Sequence, residues 1–148
     1  VQTKNDPELV KTRQQHTTTS AFQVTLEEEE TNRDSHGAEI VGWISMDTGV
    51  YKWSDLQIEA KRTKMVVGDK FYNIKFNGNS FQNNPYFVAI LASFRGFDSA
   101  HLRFDNLSHT GVKVRVEEDT SSDTETKHTK EMVSYIAIQD TSTTLLRA

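Results

Sequence analysis

The chain has 148 residues, 35% hydrophobic and 26% charged, with a formal net charge of −4. That length carries one or two small domains with a real core, and interspersed charge without a basic block argues against a nucleic-acid partner. There is no cysteine, which excludes a disulfide framework, a CxxC metal site and a thiol nucleophile. No apolar run is long enough to span a membrane, and no signal peptide is evident.

In residues 21–30, AFQVTLEEEE, Phe22, Val24 and Leu26 share one face while Gln23, Thr25 and Glu27 share the other. Such alternation predicts a half-buried strand. A polar loop over 31–35 leads to EIVGWISM (39–46), apolar throughout, which reads as a central strand buried on both faces or as a strand at an interface. After the turn Asp47-Thr48-Gly49 comes Tyr51-Lys52-Trp53. An exposed ring there would suit stacking on a sugar, and core burial of Trp53 is the plainer expectation. Further strands are expected at 56–65, 70–76, 86–93 and 101–106, separated by turns at 67–69, 77–79 and 82–85. Val112, Val114 and Val116 then alternate with Lys113, Arg115 and Glu117. A second acidic loop (120–127) precedes EMVSYIAI (131–138), the counterpart of 39–46. Helical periodicity is absent, and about nine strands in an all-β antiparallel sandwich are predicted.

The two apolar segments belong to a longer self-match, a signal of repeated modules. Residues 1–47 lie over 91–139, with Arg13 on Arg103, Val24 on Val114 and Glu27-Glu28 on Glu117-Glu118. After a slip of two residues in the acidic loop, His36 falls on His128, Glu39 on Glu131 and Ile44 on Ile136. Trp43 and Tyr135 become equivalent and are expected in a core or an interface. Only the second copy is preceded by a further half-module (about 51–90). Residues 1–48 therefore read as the back half of one sandwich and 49–148 as a complete module, an internal half-module repeat in which the sequence opens partway through a module. Half a sandwich exposes strand edges and an apolar face. Residues 1–3 are accordingly expected beside a strand, and the row Phe22, Val24 and Leu26 is expected to be covered from outside the first copy.

Two recurring constellations carry candidate chemistry. His36-x-x-Glu39 and His128-x-x-Glu131 would share a face on a helix, but along a strand an i, i+3 pair points to opposite faces. The plain reading has the imidazole pinning its loop while the carboxylate meets an arginine or a backbone amide; ligand contact and metal binding are the alternatives. Arg13 with Glu27, and Arg103 with Glu117, read as exposed cross-strand ion pairs contributing about 0.2–1 kcal/mol each. The alternative is that these arginines hold a sugar hydroxyl or a carboxylate. Acidic residues at 27–30 and 117–119 supply oxygens for calcium, but no calcium-loop motif gathers them, so no cofactor is implied. No nucleophile elbow, phosphate loop or HExxH is present, and a non-catalytic protein is expected.

The succession SFQNNPYFVAIL, HLRFDNLSHTGVKVRVEED, HTKEMVSYIAI resembles the H-type lectin fold of snail agglutinins and of the C-terminal domains of slime-mould discoidins. It is more similar still to H-type-lectin-like modules repeated in large bacterial surface proteins. The resemblance covers 49–139 as one module and 1–47 as the back half of another. It implies a six-stranded antiparallel sandwich, commonly trimeric, binding galactose-type sugars near subunit contacts. The acidic segment 120–127 stands where the snail proteins carry an aromatic-rich sugar-binding loop.

The expected function is an extracellular or cell-surface carbohydrate-recognition or adhesion module of a larger repeat protein, with a glycan or surface polysaccharide as partner. Its candidate contact residues are Arg13, His36, Glu39, Trp53, Arg103, Glu117, His128 and Glu131. The alternative is a structural subunit of a fibre or surface assembly, in which strands are shared between modules or self-associating chains.

Overall fold

A computed structural model describes residues 1–32, 36–77 and 81–142. It is all-β. A four-stranded antiparallel sheet runs in the order β3 (Gly49–Trp53), β4 (Leu56–Arg62), β9 (Val133–Asp140), β6 (Tyr86–Leu91). A three-stranded sheet runs β5 (Tyr72–Lys75), β8 (Gly111–Glu118), β7 (Ala100–Ser108). Together they form an antiparallel sandwich of seven strands, one more than the family resemblance implies. A separate hairpin, β1 (Lys11–Gln15) with β2 (Gln23–Glu27), packs beside it against β6.

Alternation builds the core. Val112, Val114 and Val116 turn one face of β8 inward, and Val133, Tyr135 and Ala137 do the same from β9. Phe76, Phe81 and Leu91 close the space between them, and Phe76 meets Phe81 edge-on at 5.2 Å between ring centroids. β9 is central as expected, but it alternates rather than being buried on both faces: Ser134, Ile136 and Ile138 are only half-buried. Within the core, the Tyr135 hydroxyl donates to Glu59 at 2.8 Å. Glu59 also receives the Asn77 amide at 2.8 Å and pairs with Lys61 at 2.9 Å, so its buried charge is compensated.

Several expectations from the sequence need correction. Residues 39–46 form no strand, and Ile40, Trp43 and Ile44 are 59%, 67% and 81% exposed. β9 owes its burial to β4 and β6 on its two sides, and 39–46 has no such flanks. Trp43 meets Phe22 edge-on at 5.6 Å instead of entering a core. The row on β2 lacks its expected cover, since Val24 is exposed while Phe22 and Leu26 are half-buried. Trp53 is 74% exposed. It pairs with Leu56 at the tip of the β3–β4 hairpin, where Ser54 turns with a φ of 53°, and a ring at a hairpin tip has no opposite sheet to enter. Residues 1–3, expected beside a strand, touch 39–41, where the Gln2 amide donates to the Ile40 carbonyl at 2.7 Å, but neither segment is a strand. Residues 78–79 of the turn expected at 77–79, residues 33–35 of the polar loop and the segment 143–148 lie outside the described residues.

Candidate functional site

The β1–β2 hairpin brings Arg13 into the most buried charged cluster of the molecule. Arg13 is 1% exposed, although alternation along the sequence predicts an outward-facing side chain. The hairpin's outward face relative to its own apolar row is the face it turns toward the sandwich. There Arg13 donates to Glu131 at 2.6 Å, to Glu27 at 3.0 Å and to the Ser93 carbonyl at 3.5 Å. Its guanidinium lies 4.7 Å from the centre of the Phe94 ring. The pairing is therefore a buried network rather than the exposed cross-strand contact the sequence suggested.

Glu131 is fully buried and receives four donors. They are Arg13, the Ser93 hydroxyl, the Arg95 amide at 2.8 Å and His128 Nε2 at 3.2 Å. His128 reaches Glu118 with its other nitrogen at 2.8 Å. The loop before β9 bends back, so the i, i+3 pair converges instead of diverging. Burial opposes the charge on His128, but the hydrogen bonds it donates to Glu131 and Glu118 outweigh this and raise its pKa from the ordinary value of 6.5. Burial raises the pKa of Glu118, against the pull of His128.

His36 and Glu39 sit in a cluster with the same connections. His36 Nδ1 meets Glu28 at 2.9 Å and Nε2 meets Glu39 at 3.3 Å. The Thr3 hydroxyl donates to Glu39 as Ser93 does to Glu131, and the Asn5 amide donates at 2.7 Å as Arg95 does. The Ile40 amide donates to Thr3 Oγ1 at 2.8 Å, and the Met132 amide to Ser93 Oγ at 2.8 Å. Glu28 Oε2 and Glu118 Oε2 are each buried without a hydrogen-bond partner among the described residues. The two hairpins match as well. His16 and Asn106 have φ of 51° and 50°, and the Thr18 and Ser108 hydroxyls each donate at 3.1 Å to the carbonyl three residues on. One difference stands out: no arginine meets Glu39 among the described residues.

Arg103 and Glu117 lie apart from these clusters. Arg103 pairs with Glu117 through Nε, and Glu117 also meets Arg115 at 2.7 Å and His101 at 3.0 Å. Hydrogen bonding and the charge of Arg103 are the main forces keeping the Glu117 pKa low, against burial. Burial, then the Arg103 charge, lowers the pKa of His101. His101, Arg103 and Glu117 line an open cleft with Lys11, Glu27 and Asp119. The structure therefore joins Arg13 with Glu131 and His128, joins His36 with Glu39, and leaves Arg103 with Glu117 on the surface and Trp53 at a remote tip. Ser93, Thr3 and Phe94 are cluster members that the sequence reading passed over. A hydroxyl at both 3 and 93, at the spacing that puts Arg13 on Arg103, was the available signal. No group of three or more potential ligands among the described residues is arranged to hold a metal ion, and no helix is long and apolar enough to cross a membrane.

The fold and these clusters define an antiparallel β-sandwich carrying buried His–carboxylate clusters. Over 139 residues, 92% of the chain, the sequence is 32% identical to Halomucin of Haloquadratum walsbyi. The match spans about 2% of the length of that protein. No protein-family model matches the chain, and no solved structure matches it.

Proposed function

We propose that this chain is a non-catalytic piece of a surface-associated repeat protein, in which neighbouring copies of one unit are clamped together by buried arginine–carboxylate contacts. The observation that carries this reading is the ion pair of Arg13 with Glu131, formed between residues 118 positions apart and sealed from water on both sides. Its partners Ser93, Phe94 and His128 are also drawn from the second segment. With side chains 1% and 0% exposed, Arg13 and Glu131 leave no room between them for a substrate. The pair serves to hold the β1–β2 hairpin on the sandwich. The matched contacts around His36 and His128, and the matched hairpin geometry, support reading 1–47 and 91–139 as two copies of that unit. The name of the similar protein, Halomucin, and the match to only a small part of its length support a place in a long secreted or surface-exposed protein.

A double-mutant cycle tests the clamp. Arg13→Ala and Glu131→Gln are expected to couple by about 1–3 kcal/mol in stability, the range for directly contacting residues. Arg13→Ala is also expected to open residues 1–47 to protease before the sandwich. Additive single losses, or no change in proteolysis, would refute the reading.

A second reading is carbohydrate recognition by an H-type-lectin-like module. The cleft supports it, since Lys11, His101 and Arg103 offer donors beside the carboxylate of Glu117 at an accessible surface. Titration with galactose-type and uronic-acid glycans against the chain and Arg103→Ala is its test. Binding lost in the variant would support it, and absence of binding to either sugar class would end it.

A further inference from the structure

β9 is apolar on both faces, yet only one of them meets the core. Tyr135 and Ala137 point inward, while Ile136 and Ile138 point away from the three-stranded sheet and stay half-buried. Residues paired across an antiparallel sheet share a face, so the register carries this outer surface across all four strands. One row runs Tyr51, Ile58, Ile138, Tyr86, and the next runs Gly49, Ala60, Ile136, Val88. Tyr86 and Val88 are 77% and 65% exposed. Charge enters the face at its two ends, with Arg62 beside Ser134 at one and Asp140 beside Leu56 at the other. Arg62 Nε donates to Ser134 Oγ at 3.3 Å, which leans the guanidinium over β9. Neither Arg62 nor Asp140 forms an ion pair among the described residues.

We infer that this outer face of the four-stranded sheet docks on the same face of a second copy of the chain, about a two-fold axis lying in the interface and crossing the strands. Such an axis reverses strand direction and sets each strand over its equivalent. Asp140 of one copy then faces Ser134 of the second copy, where the Arg62 guanidinium already lies, and two Arg62–Asp140 pairs form at the ends of the interface. Between them the rows exchange places. Ile58 and Tyr86 meet Ala60 and Val88 of the second copy, larger side chains against smaller ones. Tyr51 lies flat along β3, since a Cβ on Gly49 would come within 3.0 Å of its ring and its hydroxyl donates to the Asp47 carbonyl at 2.9 Å. Apolar sheet faces stack in this way inside sandwiches, about 10 Å apart and rotated by about 30°. Strand and residue spacings give a footprint of roughly 500 Å² per copy. Stable complexes bury about 800 Å² per partner, so the contact is a reversible one of micromolar strength. A two-fold contact closes at two copies. The residues of the Arg13–Glu131 clamp take no part in it, so it goes beyond that reading, and the double-mutant cycle of the clamp is unaffected by its outcome.

Sedimentation equilibrium of the full chain, from micromolar to millimolar concentration, reads the contact directly. A monomer–dimer equilibrium is expected. Val88→Lys puts an unpaired charge into the apolar centre and is expected to weaken it by about a hundredfold or more. Val88 is exposed in the single chain, so that variant keeps the parent's melting temperature. Arg62→Asp and Asp140→Arg each place like charges opposite one another twice, and each is expected to weaken association by about tenfold or more. Mixing these two charge variants makes both cross pairs opposite in sign again, and a heterodimer of about the parent's affinity is expected. A chain that stays monomeric throughout, a trimer or a series that keeps growing, a folded Val88→Lys variant that dimerises like the parent, or charge variants that do not recover on mixing would each overturn the inference. Should circular dichroism show that Val88→Lys does not fold, the charge variants, both at exposed strand ends, decide the matter alone.

Discussion

Arg13 and Glu131 meet at 2.6 Å with side chains 1% and 0% exposed, while the corresponding pair in the other hairpin, Arg103 and Glu117, stays in water. Two arginines at matching positions in the sequence thus have opposite environments. Position relative to a neighbouring unit decides the difference, because β1–β2 has the sandwich beside it and β7–β8 presents an open face.

The contrast sets a pair of stability measurements. Arg13→Ala leaves Glu131 buried with one fewer cation and is expected to cost about 3–5 kcal/mol. Arg103→Ala removes an exposed contact and is expected to cost about 1 kcal/mol or less. Denaturant unfolding of the two variants beside the parent gives both values. Equal losses would mean that burial of Arg13 contributes nothing beyond its pairing with Glu27.

Acid and alkali are expected to act on different groups. The pKa of His128 is raised in the folded chain, as is that of His36. Stability from these imidazolium contacts is complete below the unfolded value of about 6.5 and is lost as pH rises through the higher folded values. The raised pKa of Glu118 works in the same direction, starting from lower pH. Glu39, Glu59 and Glu117 have lowered values, so their contribution is present above about 4.5 and lost as pH falls. The melting temperature should therefore peak in mildly acidic solution and decline toward pH 9. The His36→Gln, His128→Gln double variant should flatten the alkaline decline and keep the acid one. A parent whose melting temperature is level from pH 6 to 9 would contradict the assignment.

In the core, the hydroxyl of Tyr135 serves Glu59. Tyr135→Phe retains the ring and its contacts with Phe76 and Phe87 but removes one donor from a buried carboxylate. The expected cost is about 1–3 kcal/mol, read by thermal or denaturant unfolding. Adding Glu59→Gln should make the loss smaller than the sum of the two single changes, since the partners share one network.

Much of the sandwich was legible because its signal is local. The Val112, Val114 and Val116 alternation sits on β8, and the strands expected at 56–65, 86–93 and 101–106 fall on β4, β6 and β7. The errors came where burial depends on a partner. EIVGWISM and EMVSYIAI have nearly the same apolar content, yet only the second lies between two strands. Hydropathy records what a segment is able to bury, not whether something is there to bury it. The same limit hid the fate of Arg13, since alternation gives a face of the hairpin without saying that the face meets another unit. The imidazole–carboxylate spacing was visible. Its convergence depends on a bend in the loop before β9, which periodicity does not encode.

Gly96 gives the sharpest test of how tightly that cluster is built. Its φ is 87°, a conformation that side chains other than glycine rarely adopt, and a Cβ placed on it would come within 2.7 Å of His128 Cε1. Gly96→Ala therefore strains the backbone and pushes on the imidazole that joins Glu118 to Glu131. The neighbouring Arg95 amide, a donor to Glu131, would shift with it. The expected result is a stability loss of about 1–3 kcal/mol together with a changed His128 titration in an NMR pH series. His36, in the separate cluster, should titrate as in the parent. If Gly96→Ala lowers stability but leaves the His128 titration curve unmoved, the strain is confined to the loop and the packing of Gly96 against the imidazole is not what requires glycine there.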